Sequence, residues 1–162
     1  MPGMRRKEKE ITEKAVIEEV LRENGVGRLA TAVNDHPYVV PLNFVYFDGK
    51  VFFHSHKDGT KMKNIAENPR VCFEVDSGEI VTGEKPCDFT WKYRSVIVSG
   101  KAHIVTDAGK RLAVLKRLSD KYSPGKGKLL TAEDMEKNPQ LVIVEIVVDE
   151  MTGKKSPVKP PS

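Results

Sequence analysis

Apolar and polar positions change their period several times along the chain, and each change marks an element. From residue 8 to 24, Ile11, Ala15, Val20 and Leu21 recur at helical spacing. Thr12 is placed to cap locally and Asn24-Gly25 stops the run, so the pattern predicts an amphipathic helix. Val26–Val33 then reads as a strand, Asn34-Asp35-His36-Pro37 as a turn, and Tyr38–Phe47 as a longer strand broken at Pro41. A proline there removes a ladder donor and predicts an edge or a bulge. Asp48-Gly49 is a hairpin signal leading into a third strand, Val51–His56.

Lys57-Asp58-Gly59-Thr60 breaks that strand. Met62, Ile65 and Ala66 follow at helical spacing until Asn68-Pro69, and Val71–Val75 is apolar again. Ser77–Asp88 is polar and turn-rich, a loop or short strand extension. Trp91–Val105 predicts a long strand bent at Gly100. Asp107–Tyr122 predicts a helix with Leu112, Leu115 and Leu118 inward, and Ser123–Lys128 a loop. Thr131 and Asp134 open a short capped helix that ends at Asn138-Pro139, and Leu141–Val148 is a last strand. Strands joined by turns rather than helices argue against a parallel sheet. The expected fold is mainly β with peripheral helices, a six-stranded antiparallel barrel spanning residues 11–152, with flexible ends at 1–10 and 153–162.

Composition narrows the class. At 162 residues, 39% hydrophobic and 31% charged, the chain has the length and balance of one globular domain, and no apolar run approaches a membrane span. The charged start has no apolar segment behind it, so the expected compartment is the cytoplasm, without a membrane partner. The net charge of +4 collects at the ends (Arg5, Arg6, Lys7; Lys154, Lys155, Lys159). No basic face with interleaved aromatics accompanies it, so no nucleic-acid partner is expected. Cys72, inside a strand, reads as a core residue and Cys87 as a loop thiol; their spacing is neither zinc-like nor redox-like.

The richest chemistry lies between Val51 and Asp76. A helix that opens after Gly59 with Thr60, Lys61 and Met62 offers free N–H groups, a dipole end, a hydroxyl and nearby lysines (Lys57, Lys61, Lys63), which is an anion site suited to a phosphate. His54 and His56 share a strand face. They can line a cofactor pocket beside that turn, stand as polar residues at a strand end, or bind metal with a third ligand from His36, His103, Glu74 or Asp76. Pro41, Leu42 and Asn43 can free backbone groups for a flat heterocycle or form a plain edge irregularity. Trp91, Tyr93 and Ser95 share one face of their strand. Arg94, on the other, needs an anionic partner, a phosphate or a carboxylate across a subunit interface. No nucleophile-elbow, Walker or dinucleotide glycine pattern is present, so enzymatic chemistry would belong to a bound cofactor.

Taken in order, Gly27–Thr31, His36–Phe44, Val51–His56 with Gly59-Thr60-Lys61, Asn68–Val75, Tyr93–Ala102 and Met151–Lys154 resemble the FMN-binding split β-barrel family, the pyridoxamine 5′-phosphate oxidase-like proteins, and within it the nitroimidazole-resistance branch. The resemblance implies a homodimer with FMN at the subunit interface. It implies that Pro41, Leu42 and Asn43 and the His54-Ser55-His56 segment line the flavin ring, and that Lys61 and its neighbours Thr60 and Met62 hold the phosphate. Arg94 and Ser95 complete the expected cofactor contacts, and His54 is the expected proton donor. The activity expected is passage of electrons from a nicotinamide donor through FMN to a small-molecule acceptor. The alternatives are a non-catalytic flavin-binding or redox-sensing protein and a deazaflavin-dependent reductase.

Overall fold

The computed structural model describes residues 5–157. Its strands are β1 (Glu10–Ile11), β2 (Gly27–Val33), β3 (His36–Leu42), β4 (Val45–Phe47), β5 (Lys50–His56), β6 (Arg70–Val81), β7 (Thr90–Ile104) and β8 (Leu141–Lys155). The helices are α1 (Lys14–Glu23), α2 (Thr60–Glu67), α3 (Ala108–Tyr122) and α4 (Ala132–Glu136). All strand pairings are antiparallel, in the order β3-β2-β6-β7-β8-β5-β4, with β1 added to β8. The two end strands of this order, β3 and β4, are consecutive in the chain and joined only by Asn43-Phe44, so the sheet curls round until its ends meet at a corner. That corner is the split in the barrel.

Eight strands replace the expected six, for two physical reasons. β1 is too short to show alternation, and Glu10 and Ile11 leave the expected first helix to pair with Lys154 and Gly153. The run 38–47 divides at the Asn43-Phe44 corner instead of at Pro41. Pro41 sits opposite Arg28 in a regular β2–β3 ladder that runs from Gly27↔Leu42 to Val33↔His36. The expected bulge is therefore absent from this ladder, and the proline is tolerated because β3 is an edge. The bend expected at Gly100 is real. The β7–β8 register shifts between Ser99 and Gly100, where a side chain would strike the Val147 carbonyl. Ser77–Val81 extends β6, and Gly153–Lys155, expected in a flexible tail, end β8. Residues 1–4 and 158–162 of the two expected flexible ends lie outside the described residues.

Two apolar cores result. The barrel interior is filled by Leu29, Phe44, Phe53, Phe73, Val75, Val98 and Ile146 and plugged at one side by Val20 and Leu21 of α1. A second, smaller core lies outside the barrel wall, where Val114 and Leu118 of α3 cover Phe52, Val105 and Ile143. Strand β5 divides the two. Val51, Phe53 and Ser55 point inward, while Phe52, His54 and His56 point out.

Candidate functional site

The sequence KDGTK after β5 turns the chain sharply into α2. Gly59 takes φ 130°, a conformation open to glycine, and no side chain caps the helix. The first helical bond is Lys63 N–H to the Gly59 carbonyl (3.1 Å), so the N–H groups of Thr60, Lys61 and Met62 have no helical acceptor. The Met62 side chain is buried as an anchor for α2, leaving its N–H as its only offering. The exposed His56 braces the turn, its Nδ1 accepting the Asp58 N–H at 3.1 Å. Three free donors, a positive dipole end and the Lys61 ammonium thus make a cradle for an anion.

A cleft of about 360 Å³ adjoins this strand, walled by β5, the Asn43 corner and α3. His54 and Asn43 line one side. Leu115, Leu118, Ser119 and Tyr122 line the other, with Ser123 and Leu130 at the end. Tyr122 fixes the geometry of the corner. Its hydroxyl accepts the Phe44 N–H (2.8 Å) and has the Phe44 and Gly25 carbonyls within reach of its proton (2.7 and 2.9 Å). Asn43 Nδ2 donates to the same Gly25 carbonyl at 3.0 Å. Where the split leaves β3 and β4 unpaired with each other, side chains of α3 and of the corner supply the bonds. His54 is open to solvent on one side. Partial burial, and then the charge of nearby Lys61, hold its imidazole below the ordinary histidine value, so the ring is neutral near pH 7.

The expected site residues thus divide. His54, Asn43, the α2 N-terminus with Thr60, Lys61 and Met62, and the β3 edge with Pro41 and Leu42 belong to one end of the barrel. Ser55 lies on the same strand, but its side chain points into the barrel, where it donates to the His56 carbonyl (2.9 Å) and leaves only backbone toward the cleft. Arg94 and Ser95 lie elsewhere. They pair with Lys155 and Lys154, whereas His54 pairs with Ile143, so on the order of 40 Å of extended β8 separates them. Arg94 has anionic partners within its own chain, Glu19 (3.0 Å) and Glu23 (2.9 Å) of α1. Among the described residues no group of three His, Cys, Asp or Glu side chains converges as a metal site. Ser119, Tyr122 and Leu130 were not singled out from the sequence. Their signal is faint, a serine and a tyrosine on the otherwise apolar side of a helix.

A curled antiparallel sheet split at a corner, with an uncapped helix beside the split, defines the class as a split β-barrel. The chain matches the pyridoxamine 5′-phosphate oxidase family over residues 13–155 and belongs to it, a family of flavin-binding proteins. Among solved structures it is similar to the FAD and heme binding protein from Mycobacterium smegmatis (20% identity, 95% of this chain and 76% of that one, TM-score 0.83). It is also similar to a candidate 5-nitroimidazole antibiotic resistance protein from Bacteroides thetaiotaomicron (22%, 90% and 85%, TM-score 0.75). A third is an FAD-binding protein from Mesorhizobium loti (26%, 89% and 95%, TM-score 0.62). No protein of curated function matches in sequence. No helix among the described residues is long and apolar enough to cross a membrane.

Proposed function

We propose that the chain is an FMN-binding oxidoreductase that works as a homodimer. The observation that carries this reading is the uncapped N-terminus of α2, which follows the His54 strand directly and brings Lys61 close enough to lower the His54 imidazole, within a family that binds flavin. The N–H groups of Thr60, Lys61 and Met62, with the Lys61 ammonium, take the phosphate. Backbone at Pro41, Leu42 and Ser55 and the side chains of Asn43, His54 and His56 border the ring. A bound flavin would supply the redox chemistry between a nicotinamide donor and a small acceptor. His54, neutral at pH 7, would offer an N–H to a bound ring as a hydrogen-bond donor, and would serve as proton donor only after taking up a proton from solvent.

One feature supports a second chain. The outer sheet face carries a flat row, Ala30, Cys72 and Ser99 in register across β2, β6 and β7, flanked by exposed Val39 and Ile97. A second reading, FAD in place of FMN, is favoured by the FAD-binding relative at 26% identity.

The test is the visible spectrum of the purified protein, then heat release and chromatography of the chromophore. FMN is expected, with binding weakened about tenfold or more in Lys61→Met by loss of a charge-assisted contact. Released FAD decides for the second reading. A colourless protein that takes up neither flavin overturns both, and a Soret band would add heme.

A further inference from the structure

The α3 wall of the cleft presents Leu115, Leu118, Ser119 and Tyr122, facing Asn43 and His54. No Lys, Arg, Asp or Glu among the described residues lines it. Its two titratable groups are both uncharged at neutral pH: burial and Lys61 lower the His54 imidazole, and burial raises the Tyr122 phenol. Tyr122 is also committed to the Phe44 and Gly25 backbone, so its hydroxyl is not free to receive an anion. Lys61, whose charge is felt at His54, sits in the first turn of α2, where a flavin phosphate would engage it. A phosphate, sulfonate or carboxylate entering this cleft would lose water and gain no counter-charge. A flat uncharged ring would lose little, and would gain contact with the leucine side chains.

We infer that the cleft admits a neutral, flat, largely apolar molecule as acceptor and excludes anionic ones, because this chain lines it with no charged side chain. The role of acceptor rests on the flavin reading; the filter is a property of the cleft alone. Ser119 is half-buried, in the middle of the cleft face, one turn from Leu115 and Ser123. An arginine there would extend from a helix position that tolerates it and place a guanidinium in the cleft.

The filter is tested with two ligands that share a ring, naphthoquinone and naphthoquinone sulfonate, titrated calorimetrically into the protein as purified. The neutral quinone is expected to bind about tenfold more tightly or better. Equal or tighter binding of the sulfonate overturns the proposal, since it requires a cation that this chain does not place there, and so does failure of both to bind. In Ser119→Arg the ratio should shift toward the sulfonate by about tenfold or more. An unchanged ratio in a folded variant overturns the filter, because a cation placed in the cleft should favour the sulfonate. Should that variant not fold, the wild-type ratio still decides the selectivity. The visible spectrum separates the two readings: a colourless protein that prefers the neutral quinone ends the flavin role and leaves the filter standing.

Discussion

Helix α3 has two working flanks, and they differ in charge. The flank toward His54 carries Leu115, Ser119 and Tyr122 and no ion. The flank toward α1 and β4 carries Arg117, Asp120 and Lys121, and faces Arg22 and Tyr46 across a second recess of about 400 Å³. There the cations lie over rings: Arg117 is 4.4 Å from the centre of Phe47 and Lys121 3.9 Å from that of Phe44. One helix thus closes one recess with aliphatic carbon and uncharged polar groups and the other with charge held on aromatic faces. The difference teaches that the cleft's neutrality is local. The chain has a cation one residue from Tyr122, Lys121, and turns it to the other flank.

Both flanks depend on the stripe that seats α3. Leu118 is 3% exposed and packs among Phe52, Val105, Val114 and Ile143. Leu118→Ala removes that contact and leaves a cavity, an expected loss of about 2–5 kcal/mol. Denaturant unfolding measures it. A loss under about 1 kcal/mol would mean that α3 is held by its ends, Tyr122 above all, and that the two flanks do not share one support.

This stripe was legible in the sequence, because Leu115 and Leu118 fall at helical spacing. So were the hairpin turns: Asn34-Asp35 and Asp48-Gly49 all take positive φ, as such turns require. The start of α2 after Gly59 was also legible, since Gly59 followed by helical spacing is a local signal. What escaped were arrangements made by distant segments. The corner at Asn43-Phe44 exists because Tyr122, far along the chain, satisfies its backbone, and nothing local marks it. The partners of Arg94 escaped for the same reason. The residue type demanded an anion, but only the fold brings Glu19 and Glu23 of α1 to it instead of a ligand. Likewise Leu115 reads as core by its spacing, whereas the fold leaves it half-buried in a cleft wall.

Lys121 sharpens the comparison on the charged flank. Its ammonium is about half-buried, donates to the Leu21 carbonyl at 3.4 Å and has no carboxylate within 4 Å among the described residues. Burial pushes its pKa down to about 8. In the unfolded chain a lysine titrates near about 10.4. Between those values the unfolded chain holds the extra proton, so this group makes stability rise with pH across that window. Below it the folded protein carries the full cost of a half-buried charge. Lys121→Met should abolish the rise, with stability at neutral pH equal to or above wild type. A wild-type protein whose stability is flat across the window would mean that the Phe44 and Tyr122 rings and the Leu21 carbonyl compensate the charge in full.

The smallest effect lies on the neutral flank, at His54. Its pKa is depressed first by burial and then by Lys61. A histidine lowered in the folded state adds stability above its unfolded value, near about 6.5, and loses it as the pH falls below. Lys61→Met should raise the His54 pKa part of the way back, leaving the share due to burial. FMN bound to the wild-type protein should raise it in the same direction, because a phosphate at the α2 N-terminus offsets the Lys61 charge. Titration of the His54 ring protons by NMR in the free protein, the variant and the flavin complex measures all three. No change in the variant would place Lys61 too far from His54 to act on it. A shift in the variant but none with bound flavin would put the phosphate elsewhere, and the α2 cradle would lose its assigned ligand.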